Sequence, residues 1–383
     1  MRLSPRLSLF LTLAWTLVLL GGWALLVEMT SEAAPLAYGS CVDLTVLGHI
    51  PVGDDPRGIA VVGDKVYVAN HDDDTISVIN AINLTVTQTI TAGISDPCSI
   101  AYNPNNGYLY VTNRPDSGTG TVAVINPTTG LTVTDPIAVG TKPTGLAVNP
   151  DDGCVYVANL GSSTVSVISN TNVITTIATG GEPSHIAINS VRDLVYVTDH
   201  DTDDSNVIVI DGATRSYSQT IDLDPPYPEM QAPWGIAVDS DTGWIYVATI
   251  DGGRLVRIRP THTVSDAIET PIIASLRMAA IDPFLNLVFV TQDDLNTMGS
   301  DPDGSHHAPP TAEMENVLTY DLETENWASD FITMPVQQDP ERGIAFDTVR
   351  HRLYVSNRRS NTVTVIEETL CKDYMPIIMK SFS

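Results

Sequence analysis

The sequence predicts an all-β protein, a seven-bladed β-propeller of four-stranded antiparallel blades, and three observations lead to that prediction. A Tyr-Val strand followed by a Thr-Val-x-Val-Ile strand returns seven times along the 383 residues. Turn-forming residues are abundant, with 26 glycines and 25 prolines, and valine, isoleucine and threonine dominate the segments between the turns. Long helical patterns are absent. The chain is long enough for two or three average domains, but the repeat is better evidence for the architecture than the length is.

The Tyr-Val strand has three especially clear copies, Val66–Asn70, Leu109–Asn113 and Val155–Asn159. Successive copies are separated by 43, 46, 40, 50, 43 and 65 residues. Four short strands in such a period are typical of a propeller blade, and blades must stack around an axis because one sheet cannot bury both of its faces alone. A β-sandwich or a β-helix would have similar composition but would not explain the period. The remaining copies begin at Val195, Ile245, Val288 and Leu353.

The ends of the chain predict how the ring closes. Repeat seven ends at its third strand, Thr362–Ile366, and no strand of suitable length follows. An extra strand, Val42–Ile50, precedes the first Pro-x-Gly strand, so we predict that it forms the outer strand of the last blade. The strands run antiparallel, which brings Cys41 and Cys371 together and predicts a disulfide in an exported protein. Two free thiols are the alternative.

The other two cysteines fall at opposite ends of the predicted propeller. Cys98 begins an inner strand, and Cys154 lies at a hairpin between a first and a second strand. We expect both thiols to be reduced.

Residues 1–33 have the pattern of a signal peptide or a signal anchor. Arg2 and Arg6 precede a long apolar run, which small residues follow near Ala33. The run is long enough to span a bilayer, so an uncleaved anchor stays open and would be the only membrane attachment. The predicted domains are this leader, the propeller at 41–371 and a tail at 372–383. We therefore expect a secreted or cell-surface protein.

The charge of the chain argues against nucleic-acid binding. The 46 acidic side chains outnumber the 19 basic ones, which gives a net charge of −27. Such a field repels nucleic acid and anionic lipid. The chain is therefore expected to bind a protein or a small ligand.

The channel face of the predicted propeller collects the candidate ligand-binding residues. Loops that enter the inner strands and loops that leave the second strands meet there, around the axis. Two of the 19 cationic side chains lie in the leader, and seven of the rest fall on these loops. Since guanidinium groups bind carboxylate or phosphate through paired hydrogen bonds, we predict a pocket for an anionic group. Alternatively, these arginines pair with nearby aspartates and tie the blades together. The predicted residues are Arg57, Arg114, His185, Trp234, Arg277, Arg342 and Arg358.

No cofactor is predicted, although histidines on the same face make a divalent metal possible; solvent-exposed loop histidines are the alternative. His71 and His200 stand beside acidic residues, and imidazole with carboxylate suits zinc, copper or iron. The chain has no HExxH, CxxC or CxxCH spacing, so the ligands would have to converge from different blades. The run Asp72–Asp74 could instead hold calcium, although acidic turns are the commoner reason for such a run.

The Tyr-Val-Thr-Asn copy at Tyr110–Asn113, its variants and the Pro-x-Gly-Ile-Ala strands resemble the YVTN β-propeller repeat family. The resemblance covers nearly the whole chain after the leader and implies the propeller fold. Proteins of this kind occur as exported and surface-layer propellers. More distantly, the pattern is similar to propeller lactonases, a streptogramin-cleaving lyase and haem- or quinone-linked propeller enzymes. The resemblance implies no catalytic residue here, because a fold alone does not decide function.

We therefore expect a binding or scaffolding module rather than an enzyme. An enzyme of lactonase, lyase or redox-partner type is the alternative and requires Arg57, Arg277, Arg342 and the histidines to converge on one cavity. A structural surface-layer component is a third possibility. No nucleophile elbow, phosphate-binding loop or dinucleotide fingerprint occurs, so the catalytic residues are unknown. An insertion at 292–315 in the sixth repeat forms either a lid over the channel face or a surface loop.

Overall fold

The computed structural model describes residues 42–200, 205–223, 232–250, 253–270, 275–282, 285–293, 316–322, 325–327, 332–333 and 343–370. Within these ranges the chain forms seven antiparallel sheets, each with its strands in the order of a propeller blade. The predicted seven-bladed propeller is therefore confirmed. Among the same residues, no helix is long and apolar enough to cross a bilayer.

The first three complete blades follow one another directly along the chain, and in each the first strand is innermost. Blade one consists of β2 (Pro56–Val62), β3 (Lys65–Asn70), β4 (Thr75–Asn80) and β5 (Thr85–Ile90). Blade two consists of β6 (Pro97–Asn103), β7 (Tyr108–Asn113), β8 (Thr119–Asn126), β9 (Leu131–Thr132) and β10 (Ile137–Thr141). Blade three consists of β11 (Pro143–Val148), β12 (Val155–Asn159), β13 (Thr164–Ser169) and β14 (Asn172–Ala178), with a 3₁₀ turn at Leu160–Ser162.

The remaining blades repeat this arrangement, and the first strand of the chain joins the last of them. Blade four consists of β15 (Pro183–Asn189), β16 (Leu194–Asp199), β17 (Asn206–Asp211) and β18 (Ser216–Asp222). Blade five consists of β19 (Pro233–Val238), β20 (Ile245–Thr249), β21 (Arg254–Ile258) and β22 (Val264–Glu269). Blade six consists of β23 (Ser275–Asp282), β24 (Leu287–Asp293), β25 (Asn316–Asp321), β26 (Asn326–Trp327) and β27 (Ile332–Thr333). Blade seven consists of β28 (Ile344–Asp347), β29 (Arg352–Asn357), β30 (Thr362–Leu370) and β1 (Val42–Pro51).

The pairing of β1 with β30 confirms the predicted closure of the ring. Their antiparallel register runs from Val42 opposite Leu370 to Pro51 opposite Thr362, with an irregularity after Val46. Cys41 and Cys371 lie outside the described residues, so their disulfide stays a prediction. Cys98 and Cys154 are free and buried, as expected.

The core lies between blades rather than inside them. Seven apolar clusters are found in the described part of the chain, and each combines residues of two neighbouring blades, including blades seven and one. A blade packed on both sides has no polar face, which is why every residue of β12 is buried. The Tyr-Val motif therefore supplies inter-blade core, as its spacing predicts.

The asparagine that ends a Tyr-Val strand joins three strands through its amide. Asn159 donates from Nδ2 to Thr164 Oγ1 at 3.1 Å and to Ser166 Oγ at 2.9 Å, while its Oδ1 accepts from the Gly140 amide at 3.1 Å. Buried polar groups are costly without such partners. Asn70 and Asn357 make the same pair of side-chain bonds in blades one and seven.

Candidate functional site

The inner strands of all seven blades line one cavity of about 200 Å³ at the propeller axis. Glycines of three Pro-x-Gly strands and the aliphatic side chains that follow the third residue of these strands form part of its wall. A cavity of this volume is smaller than a drug-sized pocket, so it fits a small ligand or one group of a larger ligand. The polar and large side chains on its wall are Cys98, Ser99, Arg114, Thr144, His185, Trp234 and Met278.

In six of the seven blades, a bulge near the start of the inner strand lies beside the residues that line the cavity. In blades one to six the pairing register shifts just after the first residues of the strand, as between Pro183 and Ile186 in blade four. A threonine of the second strand holds the bulge: Thr198 Oγ1 accepts from the His185 amide at 3.0 Å and donates to the Trp234 carbonyl at 2.7 Å. One hydroxyl thus fixes the positions of two residues on the cavity wall.

Arg114 is the cationic side chain on the cavity wall. It follows the Asn113 that ends β7, and its own amide donates to the Asp96 carbonyl at 2.9 Å. The residue is 8% exposed, and its Nε is buried without a hydrogen-bond partner. Across the described residues, its guanidinium makes no hydrogen bond and no ion pair with another side chain. A cation that faces a cavity and has no side-chain partner can bind an anion there, which makes Arg114 the site's main electrostatic feature.

Trp234 forms an aromatic wall with two histidines of the neighbouring blade. The His185 ring lies 5.1 Å from the Trp234 ring, and the His200 ring packs against it edge-on at 4.7 Å. His185 is on the inner strand of blade four, and His200 directly follows β16 of the same blade. Three of the residues predicted on this face are thus brought together between blades four and five.

Arg57 and Arg358 lie at the seam between blades seven and one and are bound to a common carboxylate. Arg57 donates from Nε and Nη2 to Asp55 Oδ2 at 3.0 and 2.7 Å, and Arg358 Nε lies 3.2 Å from Asp55 Oδ1. Neither arginine is part of the cavity wall. For these two residues the structure has the pairing with a nearby aspartate that the sequence left open as an alternative, and the Arg358–Asp55 ion pair joins blades seven and one.

His71 and His200 occupy different environments. His71 can share a metal with Asp55 and Asp72, because one ligand atom from each lies within 4.8 Å of the others. Desolvation and the Asp55 carboxylate raise the pKa of Asp72, while the two nearby arginines oppose that shift. Since Arg57 and Arg358 already neutralise Asp55, a divalent cation there would be repelled by two guanidinium groups. His200 instead contacts Trp234 and belongs to none of the ligand groups found in the described residues.

Two further residues predicted on this face are Arg277 and Arg342. Arg277 is half-buried on blade six, immediately before the Met278 that lines the cavity. Arg342 lies outside the described residues. Residue-by-residue reasoning from the sequence missed Met278 and Ser99. Both residues occupy the third position of the Pro-x-Gly segment, where blades one, three, five and seven have glycine. A side chain larger than glycine at this position was the signal in the sequence.

Comparison with known proteins supports the fold. A family model described as "Lactonase, 7-bladed beta-propeller" matches residues 79–173. No curated protein matches the chain in sequence. Hydrazine synthase of Kuenenia stuttgartiensis is similar in structure, with a TM-score of 0.67 and 16% identity over 82% of this chain and 96% of that one.

Virginiamycin B lyase from Staphylococcus aureus is also similar, with a TM-score of 0.61 and 15% identity over 85% of this chain and 99% of that one. A catalytically inactive variant of this lyase, solved with quinupristin, gives a TM-score of 0.62 and 14% identity over the same shares of the two chains. At such identities the similarity concerns the fold alone.

Proposed function

We propose that this chain is an exported β-propeller of the YVTN-repeat type that serves as a binding module for a small anionic ligand. The observation that carries the proposal is Arg114, a buried guanidinium on the wall of the axial cavity that has no side-chain partner among the described residues. The ligand's anionic group would supply that partner. Hydrogen bonds to charged groups contribute about 1.5–3 kcal/mol each, so a carboxylate or phosphate here would be bound selectively.

The aromatic wall favours a ligand with an apolar or flat part beside its anion. Trp234 and His185 both line the cavity, and their positions are fixed by the Thr198 hydroxyl. Preorganised walls of this kind reduce the entropy that binding costs. With a cavity of about 200 Å³, the ligand class that fits best is a short carboxylate or a small phosphate ester.

Export is supported by the N-terminal pattern at residues 1–33 and by the net charge of −27, which suits a protein that must stay soluble outside the cell. Membrane contact would then be limited to an uncleaved leader. A protein partner at the rim of the propeller is compatible with the same role.

Lactone hydrolysis is a second candidate function, because the lactonase family model matches a range that includes Arg114. In that reaction water adds to the lactone carbonyl, the ring C–O bond breaks and a hydroxy acid forms. Arg114 would stabilise the oxyanion, and His185 on the same cavity wall would take the proton from water. The pairing of Arg57 with Asp55 favours binding over catalysis, since an enzyme was expected to gather Arg57, Arg277 and Arg342 at one cavity.

The test is calorimetric titration of the purified protein with inorganic phosphate and with succinate. We expect saturable binding of at least one of them, weakened tenfold or more by Arg114→Gln because the charge and its hydrogen bonds are removed. Arg192→Gln is the matched control, because Arg192 is an exposed arginine that bonds the Pro260 carbonyl away from the cavity.

Absence of saturable binding of both anions, or equal affinity in the Arg114→Gln variant, would overturn the binding proposal. Acid release from glucono-δ-lactone, followed by titration, tests the second candidate. Turnover that His185→Asn abolishes would favour the enzyme, whereas no turnover above the uncatalysed rate would remove it.

A further inference from the structure

A second cluster of chemically active side chains lies at the seam between blades six and seven, away from the axial cavity. Asp282 ends the inner strand of blade six, His351 occupies the turn between β28 and β29, and Glu368 lies on β30. One potential ligand atom from each residue lies within 4.8 Å of the other two. The inner strand enters from the cavity side and ends at this hairpin, so the cluster is at the opposite end of the blade.

The two carboxylates are buried. Asp282 is fully buried and Glu368 is 7% exposed. Neither side-chain oxygen of Glu368 has a hydrogen-bond partner among the described residues. An ionised carboxylate in such a place needs a positive partner or a proton, because the cost of burying an unpaired charge is several kcal/mol.

The repeat shows that Glu368 and His351 are both departures from the other blades. In several blades, the residue two positions after the Thr-Val-x-Val-Ile motif of the third strand donates its backbone amide to a carbonyl in the turn between the first and second strands. Ala81 donates in this way to Asp64, and Gly212 donates to Asp193. Glu368 makes the same bond to His351, which marks the two as equivalent positions. The residues at the position of Glu368 in the other blades, by alignment of the repeat, are Ala81, Pro127, Asn170, Gly212, Pro260 and Leu322.

His351 also has an unfavourable backbone conformation. Its φ of +53° lies in the left-handed region, where a residue with a Cβ is disfavoured by about 1–2 kcal/mol. The equivalent turn residues Asp193 and Asn286 are of types that tolerate this region, as histidine does to a lesser degree. Blade seven thus has histidine and glutamate at two positions where the other blades have other residue types. His351 and Glu368 meet there a third potential ligand, Asp282 of blade six.

We propose that Asp282, His351 and Glu368 bind a first-row divalent cation of the Zn²⁺ class and so clamp blade six to blade seven. One imidazole nitrogen and two carboxylate oxygens form a donor set suited to such ions, and three protein ligands leave a position for water. The cation would neutralise the buried carboxylates. Because His351 is half-buried, the site can be reached from solvent. Glu368 is paired with Leu44 of β1, so the cation would also stabilise the closing strand.

The test uses the full chain, stripped with EDTA and exchanged into chelator-free buffer. Calorimetric titration with ZnCl₂ should show one site per chain that Glu368→Gln and His351→Asn both remove, and Zn²⁺ should raise the midpoint of thermal unfolding only where the site is intact. Asparagine suits position 351, because Asn286 occupies the equivalent turn of blade six with a φ of +56°.

Two control variants separate this site from other effects. Glu367→Gln removes a neighbouring carboxylate that binds Arg352 instead, and it should keep the Zn²⁺ response. His71→Asn removes the other group of potential ligands and should keep it as well. Without metal, Glu368→Gln should be as stable as the wild type or more so, because glutamine cannot carry the unpaired negative charge whose burial is unfavourable.

Failure of the wild-type chain to take up Zn²⁺ would overturn the proposal, and Asp282 and Glu368 would then be a pair of carboxyl groups that share a proton. Uptake that Glu368→Gln and His351→Asn leave unchanged would overturn it too. Circular dichroism of each variant establishes that a lost response is not a loss of folding.

Discussion

The tyrosine of four of the Tyr-Val strands, in blades one to four, has two tasks, because it fills the core and its hydroxyl also bonds the next blade. Tyr110 is fully buried and donates from its hydroxyl to the Asn170 carbonyl of blade three at 2.8 Å. Tyr67 reaches the Pro127 carbonyl of blade two at 3.3 Å, and the Tyr196 hydroxyl lies 2.9 Å from His262 Nε2 of blade five. An apolar ring and a polar tip in one residue are what a seam between two sheets requires.

Burial of these hydroxyls predicts alkaline instability. Burial raises the pKa of Tyr67 and of Tyr196 to about 12 from an ordinary value of 10.0. Between pH 10 and pH 12 the unfolded chain loses these protons while the folded chain keeps them. The free energy of unfolding therefore falls as the pH rises, by up to about 1.4 kcal/mol per pH unit for each such tyrosine. Absorbance of phenolate at 295 nm, recorded with circular dichroism, should show buried tyrosines ionising only as the fold is lost.

Tyr67→Phe is the matched variant, because blade six has Phe289 at the equivalent position, buried and well packed. It should lose a smaller part of its stability between pH 10 and pH 12 than the wild type does. Ionisation of every tyrosine near pH 10 with the circular dichroism unchanged would contradict the prediction.

Individual residues of the site were predictable to different degrees. The repeat register placed Arg114, His185 and Trp234 on the channel face, and these three line the cavity. The sequence did not distinguish Arg114 from Arg57, because whether an arginine meets an aspartate depends on backbone turns such as the one at Asp55, which has a φ of +50°.

The Asp282–His351–Glu368 cluster was not anticipated, because its residues come from three separate segments and are adjacent only after the blades stack. The sequence did show that no other blade has an acidic residue at the position of Glu368. Its proximity to Asp282 and His351 could be recognised only in the structure.

At the scale of one strand, the third residue of the Pro-x-Gly segment is fitted to the neighbouring blade. Blades one, three, five and seven have glycine there, whereas blades two, four and six have Ser99, His185 and Met278. A Cβ on Gly145 would lie 2.6 Å from the Ser184 carbonyl oxygen and 2.8 Å from the His185 Cα. Small residues therefore let adjacent inner strands approach, and the larger ones between them shape the cavity.

Gly145→Ala should destabilise the propeller by about 3 kcal/mol, because the new methyl group meets backbone, which cannot move aside as a side chain can. Chemical denaturation is the measurement. Gly161→Ala in the same blade is the control, since its methyl group would meet the side chains of Thr141 and Lys142 and should cost less than about 1 kcal/mol. Equal losses in the two variants would show that close approach of the inner strands is not what glycine provides.

The strand order of a blade was predictable, because the Tyr-Val and Thr-Val-x-Val-Ile strands pack against a neighbouring blade on both faces, which makes them mostly apolar and lets them be recognised in every repeat. Outer strands were harder to predict. In blade six the outer edge consists of two short pairings of β25, with β26 and with β27. An outer strand has one edge exposed to solvent, and most of its side chains lie outside the core. Packing therefore constrains its sequence less, and the repeat is harder to recognise there.

For the whole molecule, stability depends on a complete circle of seams. Every apolar cluster in the described chain joins two neighbouring blades, so no blade has a core of its own. Blades seven and one meet through residues from both ends of the chain, including Ile50, Tyr354 and Val363. Unlike an open solenoid, a ring needs no capping repeat, but it requires the two ends of the chain to meet.

Removing the closing strand should therefore destabilise all seven blades together. A chain that begins at Gly53 lacks β1, which exposes the edge of β30 and removes Ile50 from the core. Loss of one buried isoleucine and of several ladder hydrogen bonds should cost about 3 kcal/mol or more. Urea denaturation followed by tryptophan fluorescence should show a lower midpoint or a broadened transition.

A circular permutant separates the loss of pairing from the loss of chain length. Residues 42–51 are moved behind Leu370 through a short Asn-Gly turn, which is feasible because Val42 already lies opposite Leu370. This permutant should recover most of the stability, whereas one with the ten residues scrambled should not, because register fixes which side chains face the core. If the shortened chain unfolds at the wild-type urea concentration, closure by the N-terminal strand contributes nothing, and the ring is held by its inner strands alone.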